Sequence, residues 1–485
     1  MGTESPRIRS VAIIGAGASG AAAAAALVAE DYYERIRVFE RRETPGGTWI
    51  YDPDPNPLIV PLPGKIPPEI DPPLNIPANL PQTTPPSTQE RYDKTPIYAE
   101  LTTNVPSIAM SFSDSPFAYG PFAPHSIPKQ YIENYFATHG SDELLVLGTT
   151  VEDVSNLPGQ RWNLTLRKHD PVLNVDRWWQ EEFDALVLAN GHYSVPYVPH
   201  VDGLESYIKT FPHRILHSKS YRSAIPFRDK RVLIIGNSAS GHDITTALTS
   251  TARLPVYQSR RTPSRWDGPK PPPGIAWKPV IKTFLPDGTI VFADGSTLDN
   301  IDFVIYCTGY KISFPFWKPE AHSGRALWDY KLDRLPGNYL HVFVRGLPTL
   351  GVVGLPRTLT FRSFEYQAVA LARIWAGRNA KPLPGAKAQE EWERQWAEAA
   401  KRDRRKFHDV PWDDGQTMGY LRELYEIAGL PRIEGQGRCP PVLNHETRWA
   451  IEHIRKYPEP GKGDEAADEW VDVAPGAWRD SLHFI

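Results

Sequence analysis

Short β-branched apolar runs alternate along the chain with glycine turns and with alanine-rich or amphipathic stretches, a spacing that predicts strands alternating with helices. Arg9–Ile14 is such a run, followed by Gly15-Ala16-Gly17-Ala18-Ser19-Gly20 and the alanine-rich Ala21–Glu30. This reads as strand, tight turn and helix. Ile36–Glu40 supplies a second strand, so the first 40 residues form one βαβ unit. Ala185–Ala189 predicts a buried strand ending at Asn190-Gly191, and Arg231–Ile235 opens a second strand–turn–helix unit. Asp302–Gly309 is a further apolar strand ending in glycine, and Arg161–Lys168 alternates as a half-exposed one. Helical periodicity marks Ile127–His139, Phe364–Gly377 and Glu390–Arg405, while the stretch from Pro440 carries no motif.

Asp52–Pro96 breaks this rhythm with crowded prolines. Proline cannot donate ladder hydrogen bonds or continue a helix, so the segment is expected to be an extended, irregular insertion draped over the surface.

A chain of 485 residues is long for one domain and predicts two or three. A net charge of -3 and the lack of a basic run exclude electrostatic attraction to nucleic acid. Cys307 and Cys439 stand alone, which excludes a disulfide scaffold and a cysteine metal site and fits a reducing compartment. The opening residues lack an apolar signal core, and those after Gly2 fail the myristoylation pattern. No run reaches the roughly 20 apolar residues of a membrane span, and Trp478–Ile485 is not an apolar tail. A cytoplasmic protein without a membrane, nucleic-acid or metal partner is expected, its oligomeric state open, a homodimer included.

The first βαβ unit carries a GxGxxG pattern between strand and helix, the context that gives the pattern meaning. Gly15 permits the tight turn, Gly17 a close approach to a pyrophosphate, and Gly20 close helix–strand packing. The amides of Ala18 and Ser19, at the helix start, then face the phosphates. Glu40, with Arg41 beside it, ends the second strand. A carboxylate there binds ribose hydroxyls and repels a 2′-phosphate, so the ligand is FAD or NAD and not NADP.

The second unit, Gly236-Asn237-Ser238-Ala239-Ser240-Gly241, has serine in place of the central glycine. Glu40 lies 25 residues after Gly15, and 25 residues after Gly236 lies Arg261, beside Arg260. Paired guanidinium groups suit a 2′-phosphate, so this unit predicts NADPH, with the amides of Ala239 and Ser240 at its phosphates. Two such sites together imply hydride transfer from NADPH to FAD.

Further residues give the chain a family likeness. Pro45-Gly46-Gly47-Thr48-Trp49, Leu101-Thr102-Thr103-Asn104-Val105-Pro106, Cys307-Thr308-Gly309-Tyr310 and Glu365-x-Gln367 resemble segments of the flavin-containing monooxygenases, in their fungal and yeast-like branch. Phe211, His217 and Tyr221 match the family's FxGxxxHxxxY/F sequence, with His213 where the family has glycine. Tyrosine followed by Arg222 favours heteroatom oxygenases over Baeyer–Villiger enzymes. The resemblance implies an α/β fold of two Rossmann-like dinucleotide-binding domains, the NADPH domain inserted into the FAD domain. The expected division is 1–210 for the first part of the FAD domain, with the proline-rich insertion 52–96. The NADPH domain is expected at 211–335 and the returning FAD part with a C-terminal extension at 336–485. The resemblance also implies cofactor contacts at Gly47, Thr48, Trp49, Thr103, Thr308 and Gly309, with Asn104 as the catalytic residue between flavin ring and nicotinamide. His217 is expected to couple the domains structurally. The implied reaction is oxygenation of a small-molecule amine or thioether by O₂ through a flavin hydroperoxide. Baeyer–Villiger oxygenation of a ketone and uncoupled NADPH oxidation are the alternatives.

Overall fold

The computed structural model describes residues 7–55, 61–89, 91–264, 266–412, 415–432 and 435–457. The expectations for Gly2 and for Trp478–Ile485 lie outside the described residues.

The first βαβ unit nucleates a seven-stranded sheet in the order Asn338–Tyr339, Phe343–Val344, Leu350–Val352, Ala185–Leu188, Ser10–Ile14, Arg35–Phe39, Leu145–Val146. The strands from Leu350–Val352 to Leu145–Val146 run parallel, as chain crossovers through helices require. The helix Ala18–Ala29 is nearly all alanine because it is buried on almost every side, packed against the long helix Phe361–Ala376. Small side chains let the two helices and the sheet approach closely.

A second sheet is wholly parallel, in the order Ile215–His217, Phe303–Tyr306, Val232–Ile235, Val256–Ser259, Ile275–Lys278. The chain enters and leaves this unit side by side, where Val195–Pro196 pairs antiparallel with Tyr310–Lys311. Ile312, Phe314, Phe316, Trp328 and Leu335 then pack into the core of the first sheet. We therefore place the return to the first domain near residue 310 and not at the expected 335.

The proline-rich insertion is anchored as well as surface-lying. It contains a one-turn helix, Pro67–Ile70, with its prolines at the first two helical positions, where no amide is needed. Gln82–Thr84 adds an edge strand to the antiparallel sheet formed with Val175–Phe183, Arg161–Asp170 and Thr149–Leu157. Buried Asp71 pairs with Arg91 at 3.2 Å and accepts from Ser313 Oγ at 2.6 Å. Arg91 also pairs with Glu152, which Arg167 holds at 2.8 Å. Composition thus exposes the lack of regular structure but not these charge anchors.

Beyond the expected helices, the chain forms Gln416–Ile427 and His445–His453. The latter is capped by Asn444, whose Oδ1 accepts from the Thr447 amide at 2.8 Å.

Candidate active site

Both fingerprint loops fold to the same geometry. Gly15 has φ +105°, and a Cβ there would lie 2.5 Å from the Ala189 carbonyl oxygen. A Cβ on Gly20 would lie 1.9 Å from Gly15 O. In the second unit Gly236 has φ +110° with its Cβ position 2.7 Å from Cys307 O, and that of Gly241 is 2.3 Å from Gly236 O. The outer glycines are therefore required by backbone contact in both units.

Gly17 begins its helix at φ −80° and ψ −169°, and Ser238 begins the other, Ala239–Leu248, at φ −82° and ψ −173°. Neither helix start carries a side-chain cap, so the first amides of both helices stay available for an anion. In the first unit Gly47 closes the cradle: its Cβ position lies 2.7 Å from Gly17 Cα. Gly354, which sequence reasoning missed, backs onto Ser19, with its Cβ position 1.9 Å from Ser19 Oγ. Nothing near Gly354 in the sequence signals that distant contact. Close glycine backbones in the first unit and a small serine at the equivalent place in the second, beside uncapped helix amides, suit the diphosphate of a dinucleotide.

The ribose position is set by the ladder. Gly15 donates to Phe39 O at 2.8 Å, and Gly236 donates to Ser259 O at 2.9 Å. Glu40 therefore corresponds to Arg260, which corrects the count that pointed to Arg261; the second unit has one residue fewer between loop and strand. Buried Glu40 accepts from the Ala16 amide at 2.8 Å and the Arg42 amide at 2.9 Å, one on each oxygen. Each oxygen keeps a lone pair for ribose. Arg41 turns away to the carbonyls of Arg91 and Tyr92. Arg260 lies 3.3 Å over the Trp277 ring and pairs with Asp267, while Arg261 is exposed, its guanidinium unpaired among the described residues. A cavity of about 340 Å³ lined by Asn237, Ser238, Ser264 and Trp266 opens beside this loop.

Asn104 is exposed, and its side chain makes no hydrogen bond among the described residues. Its loop is rigid nonetheless: buried Thr103 exchanges hydrogen bonds with Ala123, amide to carbonyl at 2.8 Å and Ala123 amide to Oγ1 at 3.0 Å. Pro106 then starts the helix Ser107–Met110, which packs on Phe361–Ala376. At that point Phe361 meets Trp49 edge-on at 6.4 Å.

Thr308 and Gly309 serve the crossing between domains. Thr308 Oγ1 donates to Tyr197 O, and Gly309 O accepts from the Tyr197 amide at 3.0 Å. His217 joins them: its Nδ1 accepts from the Lys219 amide at 3.1 Å, so Nε2 carries the proton and donates to Gly309 O at 3.0 Å. Burial pushes its pKa down to about 3. Both nitrogens are committed to backbone next to the crossing, which leaves neither free to take up a proton. His213 has φ +69° and is exposed. It adopts the backbone geometry that glycine takes cheaply.

Among the described residues no cluster of side chains could hold a metal ion, and no helix is long and apolar enough to cross a membrane.

Residues 87–266 and 274–431 match the family model described as flavin-binding monooxygenase-like, and residues 13–68 match that of the NAD(P)-binding Rossmann-like domain. The flavin-containing monooxygenase FMO GS-OX5 of Arabidopsis thaliana is 31% identical over 481 residues, spanning 95% of this chain and 92% of that protein. The flavin-containing monooxygenase iboF of Amanita muscaria is 31% identical over 438 residues, 77% of this chain and 80% of that protein. The structure of S-allyl-L-cysteine S-oxygenase from Allium sativum superposes with a TM-score of 0.76 at 26% identity, covering 98% of this chain and 100% of that one. With two like-built cradles of opposite ribose-side charge, this chain belongs to the flavin-binding monooxygenase-like family and is an FAD- and NADPH-dependent monooxygenase of a small molecule.

Proposed function

We propose that the chain oxygenates a nucleophilic nitrogen or sulfur atom, with a thioether as the first choice, and that Asn104 is the side chain that touches the reacting atoms. The sulfur preference is supported by the likeness to an S-oxygenase along nearly the whole chain. The role of Asn104 rests on one observation: its amide is exposed and unpaired among the described residues, on a loop fixed by Thr103 and Pro106.

FAD held here would supply the two-electron chemistry that links NADPH oxidation to O₂, one oxygen atom going to the substrate and the other to water. The protein's part is placement. The amides of Ala18 and Ser19 hold the FAD diphosphate, and Gly15, Gly17 and Gly20 leave it room. Glu40 binds ribose hydroxyls and repels a 2′-phosphate. Ala239 and Ser240 hold the NADPH diphosphate, with Arg260 and Arg261 at its 2′-phosphate. Gly47, Thr48 and Trp49 shelter the reacting centre from water. The Asn104 amide donates and accepts without adding a charge, so it can orient carboxamide and oxygen together. Thr308 and Gly309 act one step removed, by holding the crossing.

The test is anaerobic NADPH reduction followed by oxygen in the presence of a thioether, an amine or a ketone. Sulfoxide formed in step with NADPH consumed is the expected result, and Asn104→Ala should retain flavin while losing most product, by roughly 100-fold. Ester from the ketone would favour Baeyer–Villiger chemistry. Peroxide without product from wild type would make the chain an uncoupled oxidase. We also place the protein in the cytoplasm, on the strength of two unpaired cysteines, one of them exposed. Recovery in an oxidising compartment on cell fractionation would contradict this.

A further inference from the structure

One carboxylate, Asp243, gathers three donors from two distant parts of the chain. It lies on the helix Ala239–Leu248, whose N-terminus faces the second cradle. Its Oδ2 accepts from Tyr98 Oη at 2.6 Å and from Lys456 Nζ at 3.1 Å, and its Oδ1 accepts from Tyr457 Oη. Lys456 also donates to Thr102 O at 3.2 Å, two residues before Asn104. The Tyr457 ring stands 4.6 Å from His242 and 4.8 Å from Trp266, and Trp266 lines the cavity beside Ser238. The segment carrying Lys456 and Tyr457 is rooted in the first domain, through the helix His445–His453 against Ser107–Met110.

These contacts close a triangle. One corner is the second nucleotide helix, another the Asn104 loop, and the third a C-terminal segment belonging to neither. The antiparallel pair Val195–Pro196 and Tyr310–Lys311 tethers the domains elsewhere, as a hinge would. Arg222 and Lys219 fasten the base of that crossing to the carbonyls of Asp52, Thr95 and Tyr92. The charged attachment at Asp243 is the one that stands next to both the nucleotide helix and Asn104.

We propose that Lys456 and Tyr457 are positioning residues: gripping Asp243, they fix the NADPH-bearing helix against the Asn104 loop and so set the distance over which hydride passes. The proposal rests on the reading of the second cradle as the NADPH site. It predicts that loosening the grip slows hydride transfer and spills electrons to peroxide, while each cofactor still binds.

The test compares wild type with Tyr457→Phe, which keeps the ring on His242 and Trp266, with Lys456→Met, and with Asp243→Asn. Hydrogen exchange on the protein before nucleotide is added should quicken in 98–104 and 239–248 together. Flavin reduction at saturating NADPH should slow by roughly tenfold or more, since small misplacements of reacting groups carry costs of that order. Flavin content and NADP⁺ affinity should stay within about twofold, the mark of a lost placement and not of lost binding. The peroxide share of NADPH consumed should rise. Tyr457→Phe added to Asp243→Asn should cost little more than Asp243→Asn alone, because the contact that Tyr457→Phe removes is one of those already disturbed. Unchanged reduction and exchange would overturn the proposal. So would a loss confined to NADP⁺ affinity or to melting temperature, which would make the segment a wall or a packing contact. Failure of wild type itself to be reduced by NADPH would instead refute the underlying reading.

Discussion

Replacing Arg261 by alanine should alter which nicotinamide cofactor is used, not whether hydride is transferred. Arg261 is exposed with its guanidinium unpaired among the described residues, whereas Arg260 is already paired with Asp267 and laid on Trp277. A charge-assisted contact to a phosphate contributes about 1.5–3 kcal/mol. Coulomb's law gives a consistent figure, about 1–4 kcal/mol for unit charges about 4 Å apart at surface-like dielectrics. Arg261→Ala should therefore weaken NADPH by about 10–100-fold and leave NADH nearly unchanged. Arg260→Ala should act differently. It frees the Asp267 carboxylate, whose other donors are the Ser264 amide at 2.6 Å and Asn237 Nδ2 at 3.4 Å, so a negative charge then faces the phosphate. The NADPH loss should be at least as large. Stopped-flow flavin reduction over a range of NADPH and NADH, at low and physiological salt, separates the cases. The NADPH-specific effect should shrink as salt rises, since charges are screened over about 8 Å at physiological ionic strength. An equal loss of both cofactors in Arg261→Ala, or an unchanged NADPH/NADH ratio in both variants, would refute the assignment.

Three further outcomes are expected. Gly17→Ala should fold and yet lose flavin, because its Cβ meets nothing closer than 3.4 Å while intruding on the diphosphate; Gly20→Ala, 1.9 Å from backbone, should give little soluble protein. Flavin absorbance per folded protein distinguishes the two. His213→Gly should raise the melting temperature by relieving a left-handed residue at φ +69°, a gain of about 0.5–1 kcal/mol; an unchanged or lower value would show that the His213 side chain contributes. His217 and His341 are buried and pushed down to about 3 from 6.5, so the unfolded chain binds protons that the fold refuses. Stability is then complete above the unfolded value and falls as pH drops toward the folded one, by about 1.4 kcal/mol for each histidine at about pH 5.5. Denaturation midpoints that do not change between neutral pH and that point would contradict this.

What could be read from the sequence was what is local in it. Gly20 and Gly241 answer contacts within their own βαβ units, with Gly15 O and Gly236 O, while Gly15 and Gly236 turn the chain at positive φ, so the local pattern announces both cradles. Residues set by distant contacts stayed silent. Gly354 is required by Ser19, and Tyr457 grips Asp243 across 214 positions. Counting along the chain chose Arg261 as the partner of Glu40, since an intervening segment shorter by one residue is invisible without the ladder. The proline-rich insertion shows the same division: its irregularity follows from composition, its anchoring by Asp71 and Arg91 does not. His213 was recognisable as a strained position because the family pattern has glycine there, and the positive φ supplies the reason.

Ser238 separates two demands that a fingerprint glycine usually meets together. At φ −82° the backbone needs no glycine, and at φ −80° Gly17 needs none either. What disfavours a side chain at Gly17 is the ligand it would meet: the protein itself comes no closer than Gly47, 3.4 Å from the Cβ position, an ordinary contact. The second unit has a cavity at the equivalent place, lined by Ser238 itself, so a hydroxymethyl group fits. Its hydroxyl does not cap its own helix and can donate to a phosphate, replacing a missing approach by an added hydrogen bond. The serine is therefore no sign of a decayed site. The glycines that must be kept are those at 236 and 241, whose Cβ positions strike backbone, and the chain keeps both.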